Sequence, residues 1–317
     1  MTRRCPTTEK IILEKMVLLG FGLSALLLLI SPVLADEEVK WDPLSTGPIS
    51  TWTAVTVGQG KLAVQPFIFY NRTRGDFNDD GHYVPLPKGD KESQFQQEIS
   101  AQYGVTDKWE FDAQTVYQEN YMTQGGIKAH DEGLGDSYLF TRYELIEEKG
   151  WMPATTGLLQ LKMPTGKYQH EDPNKLGNDL MGATTGGGSW DPGVGINLSK
   201  KFKPFMVHAD LIASFPQQVR VNGDKTQYGN YLNCDAAVEY FLPKGFNLMG
   251  EVNGLSQTDK KVNGGMVPAS DSGSLAFASG IGWSNDRIQT LIAYQRTLLG
   301  TNVDANDSFV LTFIYTF

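Results

Sequence analysis

Charged side chains recur between apolar ones along much of the chain. Glu98, Glu110, Asp112, Glu144, Asp210, Asp235, Glu239 and Glu251 stand at alternate positions, against Arg142 and Lys162, and His208 lies two residues from Asp210. Two residues so spaced on a strand share a face, which makes His208 and Asp210 the nearest approach to an acid-base pair. Such pairs more often serve wetting or cross-strand contacts. The chain has neither a His-Asp-Ser-Asn run nor a serine nucleophile elbow, so no hydrolytic constellation is encoded. His82, His130, His170 and His208 are far apart and show no ligand spacing. Asp76, Asn78, Asp80 and Gly81 match the opening of a calcium loop, but Pro87 stands where a bidentate Glu is required, so the stretch reads as a solvated outer loop. The expectation is a protein without catalytic chemistry, resident metal or cofactor.

Composition explains what the charges interrupt. The chain has 317 residues with 34 Gly, 13 Tyr, 16 Phe and 6 Trp, and its mean hydropathy is −0.29. This suits short strands and turns better than a helical domain. The one long apolar run, Met16 to Ile30, follows Arg3, Arg4, Lys10 and Lys15 and precedes Val33-Leu34-Ala35, the pattern of a secretory signal over residues 1–35. Its removal takes away four Lys/Arg and two Glu, carrying the net charge from −9 to about −11. An acidic surface disfavours nucleic acid, whose binding is driven by phosphate neutralisation. Cys234 is then a lone thiol and forms no internal disulfide.

From about residue 61 the chain alternates apolar and polar at period two, the mark of strands with one face in oil and one in water. Phe95 to Tyr103 and Trp109 to Tyr117 show it most clearly and form a hairpin around the turn at 104–108. Strands are predicted near 61–71, 92–103, 109–118, 135–146, 154–163, 188–199, 204–215, 230–241, 245–256, 273–284, 287–298 and 307–317. Twelve is even, and the connections alternate long and short, as in bacterial outer-membrane barrels with short periplasmic turns and long extracellular loops. Strands of about 9 to 12 residues cross a bilayer when tilted. Closure is required, since an open edge in lipid leaves main-chain groups unpaired. The fold class expected is all-β, a transmembrane antiparallel up-and-down barrel over residues 61–317. Trp109, Tyr103, Tyr240, Trp283 and Tyr294 fall near strand ends, where aromatic girdles form. Residues 36–60, with Trp41, Ile49 and Trp52 among Pro and Gly, are expected to enter the lumen or lie at the periplasmic rim.

The charges named above then fall on the inner face as lumen-lining candidates. They either set a transverse field that disfavours anions, or pair across neighbouring strands and keep the interior hydrated. The last strand turns Phe309, Leu311, Phe313, Tyr315 and Phe317 outward. It resembles the C-terminal assembly signal of outer-membrane proteins, and the likeness implies that the barrel assembly machinery reads Phe313, Tyr315 and Phe317.

Three further stretches carry a family resemblance: Gly133-x-Gly135-Asp136 entering a strand, Lys162-x-Pro164-Thr165-Gly166 ending the next, and Gly186 to Asp191 opening the one after. In order and spacing they resemble the outer-membrane family named for the meta-pathway of phenol degradation. Physically they are strand-boundary elements: Pro164 removes a ladder donor and Thr165-Gly166 turns the chain. The resemblance implies a transporter for small aromatic or apolar molecules and names no binding residue. The function expected is passive passage of small solutes across the outer membrane, in contact with lipid and lipopolysaccharide. The alternative is a plugged structural or adhesive barrel, because twelve strands can be narrow enough for side chains to fill.

Overall fold

The computed structural model describes residues 41, 43, 45, 47–168, 185–221 and 223–317; the expected signal segment and His170 lie outside them. Twelve antiparallel strands form one closed barrel. They are β1 (Leu62–Phe77), β2 (Lys91–Thr106), β3 (Trp109–Gln124), β4 (Ser137–Ile146), β5 (Ala154–Met163), β6 (Asp191–Phe202), β7 (Phe205–Ser214), β8 (Tyr231–Phe241), β9 (Phe246–Gln257), β10 (Ser272–Ser284), β11 (Ile288–Thr301) and β12 (Val303–Thr316). Each pairs with its sequence neighbours. β12 returns to β1 in a register running from Ala63 opposite Thr316 to Phe77 opposite Val303, and Phe317 N–H donates to the Leu62 carbonyl at 2.9 Å to finish the seam.

The alternation sorts side chains between two environments. On β5, Thr156, Leu158, Gln160 and Lys162 are buried while Leu159 between them is 58 % exposed; Val194, opposite it on β6, is also exposed. Ile99, Phe111, Leu139, Ile292, Phe309 and Leu311 repeat the pattern on other strands. A closed ring of large apolar side chains facing outward around buried polar ones is a surface for lipid, not for water.

Strand positions match the sequence expectation closely, with one systematic difference. At the end bearing the long loops, strands continue past the apolar alternation: β1 to Phe77 instead of 71, and β3 to Gln124 instead of 118. The loop expected at 299–306 is a hairpin instead, β11 and β12 meeting at Asn302. Above the membrane both faces are wet, so the hydrophobic period fades while main-chain pairing still holds. Ile127–Leu134 adds to β3 there, Tyr83–Pro85 adds to β1, and four short strands join the β7–β8 and β9–β10 loops through Thr226 opposite Val262.

The expected outcome for the purified mature protein is heat-modifiable mobility, with the unboiled barrel running ahead of the boiled chain on a gel. Leu159→Arg puts a charge on the lipid face and is expected to cost about 2–4 kcal/mol, if Leu159 sits near mid-bilayer. Denaturant unfolding in liposomes measures it.

Candidate functional site

The interior is built at two levels. Toward the long loops, the three stretches that carried the family resemblance meet around one carboxylate. Asp136 accepts Gly166 N–H at 3.1 Å through Oδ1 and Gly187 N–H at 2.9 Å through Oδ2. Lys162 Nζ lies 3.2 Å from Asp136 and 2.7 Å from Asp191, and Ser189 donates to Asp191 at 2.6 Å. Thr165 donates to the Gly135 carbonyl and Thr185 to that of Leu134. Gly186 is required by close approach, since a Cβ there would lie 2.3 Å from Asp136 Oδ1. The sequence reading of these stretches as boundary elements was therefore incomplete: they knot the ends of two long loops to the mouths of β4, β5 and β6. Beside the knot lies a cavity of 340 Å³ walled by Gln96, Glu98, Gln114, Gln118, Tyr138 and Lys162.

Toward the short turns, the described residues between Trp41 and Gly60 lie along the inner wall. Trp41 meets the Phe241 ring edge-on at 5.4 Å. Ser45 donates to Glu239 at 2.6 Å. Glu251 accepts the N–H groups of Ile49, Ser50 and Thr51 at 2.8 to 3.2 Å. Trp52 N–H reaches Asp210 at 2.6 Å, Ala54 N–H reaches Ser199 Oγ at 2.8 Å, and Val57 N–H reaches Glu110 at 2.8 Å. In return Thr156 donates to the Ala54 carbonyl and Arg142 to that of Thr53, each at 2.6 Å. The segment makes no ladder of its own, so its donors need acceptors, and the wall carboxylates supply them. Two apolar side chains anchor it: Ile49 packs with Met249, Leu291 and Val310, and Trp52 with Phe140, Leu158 and Ile212. At its end, Gly60 N–H bonds the Gly104 carbonyl at 2.8 Å. A Cβ on Gly104 would lie 1.8 Å from the Gly58 carbonyl oxygen, so only glycine permits this contact.

The sequence-singled charges take the following places. Glu98 borders the cavity and Lys162 sits in the knot. Glu110 and Arg142 form a buried ion pair, with Arg142 also 4.9 Å from the Trp52 ring centroid. Asp112 accepts from Ser100 at 2.9 Å. Glu144 is half-buried near the turn end of β4. Asp210, Glu239 and Glu251 hold the segment, and Asp235 stands opposite Asp210. His208 does not pair with Asp210. Its Nδ1 lies 2.8 Å from Ser199 Oγ and its Nε2 2.9 Å from Glu239, while Asn247 also donates to Glu239. This has the connectivity of a Ser-His-acid relay, but Ser199 Oγ is occupied by Ala54 N–H and is 1 % exposed, so it acts as an anchor for the segment. Near the C-terminus, Phe313 is exposed and the Tyr315 and Phe317 rings meet at 4.6 Å. In the loop that resembled a calcium site, the Asn78 side-chain oxygen accepts the N–H groups of Asp80 and His82, closing a local turn.

Ser199 and Asn247 escape the sequence reading, and Asp136 and Asp191 enter it only as strand-boundary residues. Asn197, Ser199 and Asn247 lie on the buried parity, a signal that charge-seeking alone passes over.

With this geometry in hand, comparison places the chain. Residues 115–313, more than half of it, match the family described as Putative MetA-pathway of phenol degradation. The chain belongs to this family. Among solved structures it is similar to an outer membrane channel from Pseudomonas putida F1, at 14 % identity and a TM-score of 0.68, covering 83 % of this chain and 98 % of that one. It also matches the β-domain of the Bordetella autotransporter BrkA (10 % identity, 81 % and 99 % covered, TM-score 0.47) and the NanC porin (11 %, 80 % and 98 %, 0.44). The first likeness is one of fold. No curated protein matches the chain.

Removing one partner of a buried ion pair strands the other. Arg142→Met is expected to cost about 3–5 kcal/mol in denaturant unfolding, and E110Q/R142M to recover most of it.

Proposed function

We propose that this family member is a passive outer-membrane channel for small solutes, with aromatic or other apolar compounds as its cargo. It does no chemistry of its own. The observation that carries the reading is an aromatic ladder leading inward from the cavity. Tyr138 lines the cavity and stacks on Phe140 at 5.8 Å with planes 9° apart, and Phe140 meets Trp52 at 4.8 Å. Tyr138 thus gives the cavity wall an aromatic surface for a flat apolar solute, backed by the buried Phe140 and by Trp52. The amides of Gln96, Gln114 and Gln118 supply hydrogen bonds for a hydroxyl. The family description supports aromatic cargo independently.

The segment 41–60 is the inner constriction in this reading. It is held by side-chain acceptors and two apolar anchors, so it can shift without opening the barrel wall. Residues 1–35 serve as the export signal, and Phe313, Tyr315 and Phe317 as the mark read by the assembly machinery. The reading that competes is a plugged barrel with a structural or adhesive role, favoured by the same segment, whose described residues lie against the inner wall at the turn-side end.

Uptake into proteoliposomes separates the two. A phenolic compound is expected to enter faster than a sugar of similar mass, and deletion of residues 41–58 from the mature chain to raise single-channel conductance. Absence of flux and of current from both proteins would favour the plugged barrel.

A further inference from the structure

Four adjoining strands carry a row of oxygen-bearing side chains whose charge none of the contacts above balances. Asn197 on β6 stands opposite Asp210 on β7, Asp210 opposite Asp235 on β8, and Asp235 opposite Asn253 on β9. Opposed residues have Cβ atoms about 4.5–5.5 Å apart, so two carboxylates lie side by side with a carboxamide at each flank. Glu251, two residues along β9, adds a third carboxylate and accepts from Asn253 Nδ2 at 2.7 Å. Asn197, Glu251 and Asp210 are 0 %, 1 % and 4 % exposed, and Asp235 and Asn253 are half-buried.

Known partners use only part of its capacity. Asp210 Oδ2 takes the Trp52 N–H and Asp235 Oδ1 the Gly254 N–H at 3.1 Å. Asp210 Oδ1, both amide atoms of Asn197, Asn253 Oδ1 and Thr51 Oγ1 have no partner among the described residues. The neighbouring Arg and Lys are committed elsewhere, Arg142 to Glu110 and Lys162 to Asp136 and Asp191, and the His208 ring faces Glu239. Buried carboxylates are paired or coordinate a metal, and like charges directly opposite repel.

We propose that this row binds a hard divalent cation, Ca²⁺ in preference to Mg²⁺. Asp210 and Asp235 supply the charge, and the amide oxygen of Asn197, opposite Asp210, acts as a neutral ligand. The donor set is all oxygen, without thiolate or imidazole, which selects against zinc and copper. Ca²⁺ accepts six to eight oxygens in loose geometry, which suits donors spread over three adjoining strands and completed by water better than the strict octahedron of Mg²⁺. The ion would neutralise the row and, through Asp210 and the Trp52 N–H, fasten the inner segment to the wall. This holds whatever solute the lumen passes.

The test is calorimetric titration of Ca²⁺ into the chelator-treated mature protein in a non-ionic detergent free of lipopolysaccharide. Glu119, His130 and Glu132 on the outer hairpin have ligating atoms within 4.8 Å of one another, so E119Q/E132Q serves as the background for every variant. On it, one equivalent of Ca²⁺ is expected to bind. D210N and D235N should each weaken binding tenfold or more, N197L should weaken it less, and D271N, in an outer loop, should leave it unchanged. Heat-modifiable mobility confirms that each variant is folded, and both Asp→Asn changes remove repulsion without removing volume. Binding by D210N and D235N as tight as that of their background, or no binding by that background, overturns the proposal and leaves a carboxyl pair that shares a proton.

Discussion

Main-chain hydrogen bonding in a medium without water is the constraint from which the rest follows. A strand edge in hydrocarbon leaves donors and acceptors with nothing to meet, so β12 must return to β1 and the wall must close. The register between Leu62 and Phe317 is thus more than a seam. It forces every lipid-facing position to be apolar and every alternate position inward, wherever the chain's charges happen to fall.

That inward crowding explains the segment at the turn-side end. A stretch rich in Pro, Gly, Ser and Thr that joins no ladder carries free N–H groups into a confined space. Glu251, Asp210, Ser199 and Glu110 accept them in sequence order around the wall. Three of the acids that a pore reading would assign to ion selection, Glu110, Asp210 and Glu251, accept the protein's own backbone N–H groups instead.

How far this was legible in the sequence follows from which signals are local. The strands were readable because lipid on one face imposes an alternation that survives any change of side-chain identity. Their extensions beyond the membrane, such as β3 from Glu119 to Gln124, were not, because nothing distinguishes the two faces there. The inward parity of Glu98 to Glu251 could be read, but not their partners. His208 is bound to Ser199 and Glu239, nine and thirty-one positions away, and not to Asp210 two positions away. The roles of Asp136 and Gly186 depended on loops meeting in space, which spacing along the chain does not record.

The glycine-only contact between Gly58 and Gly104 has a mechanical meaning. Because the last residues of the segment are pinned to the second strand while Trp41 and Ser45 are held on the eighth, across the ring, the insert is tied at both ends. Such an insert is a strap laid from wall to wall, not a cork, and loosening one attachment leaves the others in place.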